Sequence, residues 1–192
     1  MTYDRQTALV VVDVQNDFAD PAGSLSVPRG DAVVAVANRE VAAAKQAGAL
    51  VVYTQDWHPE RTPHFMADGG PWPMHCVHGS WGAALHPDLS TGAIIVRKGT
   101  GGEDGYSGFT MVASGGAAKS TGLHELLRRK HVTKVRIVGL ATDYCVLATA
   151  IDAVNLGYET VVLLDGVKAV DVTPGDGTRA LDRMVAAGVN LV

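Results

Sequence analysis

The chemistry this chain could perform is set by a cysteine at a strand-to-helix turn, together with an aspartate and a lysine that each follow an apolar run. Gly139-Leu140-Ala141-Thr142-Asp143-Tyr144-Cys145 comes after the β-branched run Val135 to Val138 and before a stretch of helical period. Cys145 is therefore expected in the first turn of a helix, where unpaired N–H groups and the positive end of the dipole favour a thiolate. A cysteine that packs as a small hydrophobe is the plain alternative. Asp13 follows the run Ala8 to Val12, and Lys98 follows the run Ala93 to Val96. A thiol to attack, a carboxylate to carry the proton and a lysine to hold both anions make a nucleophilic site. The competing reading is a rim of solvated charges around an inert thiol.

Histidine placement suggests a second chemistry. His58, His64, His75 and His78, four of the seven histidines, fall within 21 positions, and Asp56 lies two residues before His58. Carboxylate and neutral imidazole are ligands for zinc, iron or manganese, and a mixed set with open positions suits a catalytic ion. Loop histidines that are solvated or bonded to backbone are the plain alternative, and His86, His124 and His131 are read that way. Phe18, Trp57, Trp72, Tyr106 and Phe109 lie near the same polar residues and suggest a flat ligand between rings. Trp81 is assigned to packing.

These residues need elements to position them. Strands are expected at 8–12, 50–54, 93–96, 135–138, 161–164 and 189–192, and helices at about 31–46, 121–130, 142–156 and 173–187. Residues 59–91 and 99–116 read as irregular, and loops this long in a compact domain are usually functional. The alternation argues for an α/β domain with a mainly parallel sheet and helices on both faces. In open sheets of this kind ligands bind beyond the carboxyl ends of the strands. Asp13, Asp56, Lys98 and the Cys145 turn would then share one rim.

At 192 residues, with 47% hydrophobic and 19% charged residues, the chain reads as one globular domain over residues 1–192. Its net charge of −4 offers no basic footprint for nucleic acid, and no polybasic cluster points to a membrane. No apolar run approaches the ~18 residues of a membrane span, and Met1 to Gln6 lead straight into a strand with no signal peptide. Two cysteines are too few for a disulfide scaffold, so free thiols and a cytoplasmic setting are expected. A homo-oligomer is compatible with the sequence.

Taken together, the motifs resemble the nicotinamidase (pyrazinamidase) family of the isochorismatase-like hydrolase superfamily. The resemblance rests on Asp13-Val14-Gln15-Asn16-Asp17-Phe18, Asp56-Trp57-His58-Pro59, Trp72-Pro73-Met74-His75-Cys76-Val77, Lys98-Gly99, Tyr106-Ser107-Gly108-Phe109 and Gly139 to Val146. It covers nearly the whole chain, and it implies a doubly wound, six-stranded, mainly parallel sheet. It also implies a triad of Cys145, Asp13 and Lys98, and one divalent ion (zinc, iron or manganese) on Asp56, His58 and His75, with His64 a candidate fourth ligand. Backbone N–H groups of Ala141 and Cys145 would form the oxyanion hole, with a cis peptide before Ala141. Phe18, Trp72 and Tyr106 would hold a small aromatic amide. The implied reaction is hydrolysis of nicotinamide, and of pyrazinamide, through a Cys145 thioester. Gly101-Gly102-Glu103-Asp104-Gly105 departs from the family pattern in being longer and more acidic. The residues alone leave open another cysteine amidohydrolase for carbamoyl or aliphatic amides, and a non-catalytic metal- or ligand-binding protein.

Overall fold

Continuous apolar runs become strands buried on both faces, as a parallel sheet covered by helices requires. In the computed structural model, which describes residues 2–92, 94–113 and 115–192, β1 (Thr7–Val12) is buried along its whole length. Its alternate side chains feed two cores. Ala8, Val10 and Val12 enter one, and Leu9 and Val11 enter the other. A short helix α1 (Asn16–Ala19) and the longer α2 (Ala32–Gln46) lead to β2 (Leu50–Asp56). The face of α2 that carries Val33, Ala37, Val41 and Ala44 is buried at helical spacing and closes the second core. Fully burying each valine contributes about 1.5–3 kcal/mol.

After a long irregular segment with one 3₁₀ turn at Met66–Asp68 come β3 (Ile95–Lys98), the paired β4 (Thr110–Val112) and β5 (Ala118–Ser120), and α3 (Leu123–Arg129). Then follow β6 (Lys134–Leu140), a π-turn at Thr142–Val146, α4 (Leu147–Asn155), β7 (Glu159–Lys168), α5 (Asp176–Ala186) and β8 (Asn190–Leu191). The main sheet has the order β3-β2-β1-β6-β7-β8 with every neighbouring pair parallel. The chain winds outward one way from β1 and the other way from β6, so the topological switch point lies between those two strands. Ligand crevices open there.

The structure adjusts several expected boundaries. The third strand runs to Lys98 rather than ending before it, and the expected start at Ala93 lies outside the described residues. Part of the stretch read as irregular after Lys98 forms the antiparallel β4–β5 hairpin. The helix bearing Cys145 opens with a wide turn in which the Ala141 carbonyl accepts from Val146 N, at 3.0 Å. The last helix begins at Asp176, two residues after Pro174.

At the switch point β1 and β6 approach so closely that only glycine fits at position 139. A Cβ there would lie 2.0 Å from the Val12 carbonyl oxygen, and the backbone sits at φ +127°. Among the described residues no helix is long and apolar enough to cross a membrane.

Candidate active site

The strand ends deliver four groups to the crevice. Asp13 stands one residue past β1 with φ +48°, a left-handed conformation uncommon outside glycine. Asp56 and Lys98 end β2 and β3 and are paired in register. Cys145 lies in the π-turn beyond β6. All four are buried. Lys98 Nζ reaches across β2 to sit 2.9 Å from Asp13 Oδ2 and 3.5 Å from Cys145 Sγ, and it also pairs with Asp56. Sγ and one carboxylate oxygen from each of Asp13 and Asp56 lie within 4.8 Å of one another. The convergence expected from strand ends is therefore present.

Asp13 is held at both oxygens, but differently. Oδ1 accepts the Thr54 hydroxyl at 2.6 Å. Oδ2 is ion-paired with the Lys98 ammonium at 2.9 Å and faces the Cys145 thiol, which leaves it placed to take a proton from the sulfur. Burial raises the Asp13 pKa above the usual carboxylate value, against the pull of Lys98. Burial also tends to strip the Lys98 charge, but Asp13 and Asp56 outweigh it and keep the ammonium well protonated. The Cys145 thiol is pushed well up by burial, and Lys98 beside it only partly offsets this. Burial thus works against the thiolate that the helix start favours. The same burial raises the basicity of the Asp13 carboxylate next to the sulfur.

The histidines meet beside this cluster. His58, His64 and His75 are buried, and one ring nitrogen from each lies within 4.8 Å of the other two. His75 Nδ1 bonds the Pro73 carbonyl at 2.7 Å, and His64 Nδ1 bonds Asp104 Oδ1 at 2.6 Å, so both keep Nε2 free. His58 has no partner at either ring nitrogen, and its Nε2 lies 3.9 Å from Asp56 Oδ2. Burial holds the His58 pKa down to about 4 and lowers that of His75, so the imidazoles present lone pairs at neutral pH. Asp56, lowered to about 2 because Lys98 and the imidazoles outweigh its burial, is ionised. Buried imidazoles, that of His58 with no hydrogen bond at either nitrogen, beside an ionised carboxylate suit a divalent ion. His64 thus joins the cluster. His78 stays exposed, with Nδ1 3.1 Å from the His58 carbonyl.

A cleft of about 390 Å³, open mouth included, joins the two clusters. Cys145 and Ala141 line it together with Asp56, His64 and His75. The peptide before Ala141 is cis. Phe18, Trp72 and Tyr106 line it as expected, and Trp72 Nε1 donates to the Tyr106 hydroxyl at 3.0 Å. Trp57 and Phe109 do not line it. Trp57 instead lies under the Arg97 guanidinium, 3.9 Å from the ring centroid, and Phe109 is in the core against Tyr158. Trp81 is exposed rather than packed.

Other contributors were not singled out from the sequence. Tyr144, Leu25, Val27 and Val170 complete the apolar wall. Gln15 fixes Asp56 by accepting from its N–H and donating to its carbonyl, both at 2.8 Å. Asp17 accepts from Ser24 N and Cys76 N, and so ties the loop before Leu25 to the segment after His75. Gly99, at φ +76°, leaves room for His58, since a Cβ there would lie 2.5 Å from Nδ1. A signal for Gln15 and Asp17 was present, since both stand in the segment that carries Asp13.

The Isochorismatase domain model matches residues 7–192. The Escherichia coli nicotinamidase is 40% identical over 96% of this chain and 93% of its own. Among solved structures, the Pyrococcus horikoshii pyrazinamidase in complex with zinc superposes with a TM-score of 0.86 at 42% identity, covering 97% of this chain and 98% of that one. The L. infantum protein PnC1 in complex with nicotinate gives 0.88 at 38% identity, covering 100% and 95%.

Proposed function

The chain belongs to the isochorismatase domain family, and from that premise we propose how its site works as a metal-dependent nicotinamidase. It is an amidohydrolase that cleaves nicotinamide to nicotinate and ammonia. The observation that carries the mechanism is the meeting of Cys145, Asp13 and Lys98 with three buried imidazoles in one apolar cleft.

Asp56, His58, His64 and His75 would hold the divalent ion, and the donor set suits zinc, iron or manganese. When bound, the ion supplies a Lewis acid that can anchor a heteroaromatic nitrogen in the cleft. The chain's own residues do the rest. Phe18, Trp72 and Tyr106 grip the ring and exclude water. Asp13 Oδ2 takes the Cys145 proton as sulfur attacks the amide carbon. The oxyanion is met by the N–H groups of Ala141 and Cys145, and losing one such donor typically costs about 10²–10³ in turnover. Asp13 returns the proton to the amide nitrogen, the C–N bond breaks and ammonia leaves a thioester. Water then gives a proton to Asp13 and its hydroxide attacks the thioester. The C–S bond breaks, and the sulfur recovers its proton from Asp13 as nicotinic acid departs and gives its own proton to solvent. Lys98 stays charged throughout and holds the carboxylate against the sulfur.

Pyrazinamide fits the same description. We read the chain as one hydrolase domain working in the cytoplasm, where the two free cysteines would stay reduced. Ammonia release measured side by side on nicotinamide, pyrazinamide and an N-carbamoyl amide tests the substrate class. Turnover of the two aromatic amides is expected. Turnover confined to the carbamoyl compound would reassign the enzyme.

A further inference from the structure

The acidic segment after Lys98 has a place in the site that the family pattern did not suggest. Asp104 is half exposed, yet its Oδ1 lies 2.6 Å from Nδ1 of the buried His64. The same oxygen accepts the Gly105 N–H at 2.7 Å, so the carboxylate is not free to swing. Its backbone is pinned as well. Asp104 N donates to the Val112 carbonyl at 2.8 Å and Val112 N donates back at 2.6 Å, which adds residue 104 to the edge of β4. Glu103 beside it is buried, pairs with Lys119 on β5 and accepts Gly101 N at 2.8 Å. The hairpin that read as irregular sequence thus holds one carboxylate in a fixed place.

A carboxylate oxygen at 2.6 Å from Nδ1 suits the tautomer in which Nδ1–H donates, and that leaves the Nε2 lone pair for the cluster with His58 and His75. Resting on the metal-site reading above, we propose that Asp104 is a positioning residue for the metal. It fixes the tautomer and ring orientation of His64, so that Nε2 is the nitrogen offered to the ion. Partners of this kind, bonded to a ligand rather than to the ion, typically change metal affinity about 10–100-fold. Asp104 is not a ligand itself, since His64 Nδ1 occupies the oxygen it aims inward.

The test is the zinc dissociation constant of the chelator-stripped protein, measured by competition with a chromophoric chelator. It compares wild type, Asp104→Ala, Asp104→Asn and the distant surface control Asp182→Ala. Asp104→Ala should weaken zinc binding by about 10–100-fold. Asp104→Asn keeps an oxygen acceptor for Nδ1–H, should lose less, and serves if the alanine variant folds poorly. The control should match wild type. A purely structural role would instead lower the Tm of the metal-free variants and leave the affinity of the folded protein unchanged. Wild-type affinity in both Asp104 variants overturns the proposal. A wild type that binds no zinc overturns the metal site itself. Neither result depends on which amide is hydrolysed.

Discussion

In the mechanism we propose, burial works against the Cys145 thiolate and so gives Asp13 the task of base. A thiol pushed up by desolvation cannot attack until a base removes its proton, and the Asp13 carboxylate is the buried base that faces it. Asp13→Asn keeps the Thr54 contact and the volume but removes the base. Turnover should fall by about 10²–10⁴ while zinc affinity changes far less, because Asp13 is not among the residues proposed to hold the ion. Steady-state kinetics with metal titration would show this, and an unimpaired kcat would remove Asp13 from the proton path. The convergence of Asp13, Asp56, Lys98 and Cys145 was legible because each follows an apolar strand, whereas His64 and His75 stand in a long irregular segment and only the resemblance drew them together as ligands. Phe109 was misplaced because an aromatic inside a polar, irregular stretch looks the same whether it faces a cleft or a core. Asp104 could not be told from any solvated loop aspartate until its contact with His64 was seen.

At the level of elements, strands with continuous β-branched runs were readable because burial on both faces leaves no polar interruption. The β4–β5 hairpin was not readable. Each strand has three residues, β5 is exposed throughout, and neither shows an alternating pattern. The π-turn was also hidden, since Thr142 to Val146 carry the same apolar period as the α-helix they precede. What a short motif could indicate was the tight junction itself. Gly139→Ala would drive a Cβ into the Val12 carbonyl and hold a non-glycine residue at φ +127°. Separating β1 from β6 there should cost about 2–3 kcal/mol or abolish folding. A shift of the urea midpoint reads this directly, and an unchanged midpoint would mean the two strands are not so closely apposed.

For the whole molecule, the metal cluster ties function to stability. In the metal-free chain His58 is held near pKa 4, below its ordinary 6.5. Between those values the unfolded chain binds a proton that the folded chain refuses. The His58 contribution to stability is therefore complete above pH 6.5 and is lost as pH falls toward 4. Urea unfolding of stripped protein across that window should show a shallower pH slope in His58→Asn than in wild type, and equal slopes would contradict this assignment. The order of the six parallel strands was not written in the sequence, because periodicity reports burial and not neighbours. It is that order which sets Asp13 and Cys145 across one switch point. The most direct test of the account is mass spectrometry of enzyme acid-quenched during nicotinamide turnover. It should find a nicotinoyl adduct on the peptide bearing Cys145, and neither adduct nor ammonia release in Cys145→Ala. Continued ammonia release by that variant, with no adduct in wild type, would contradict it.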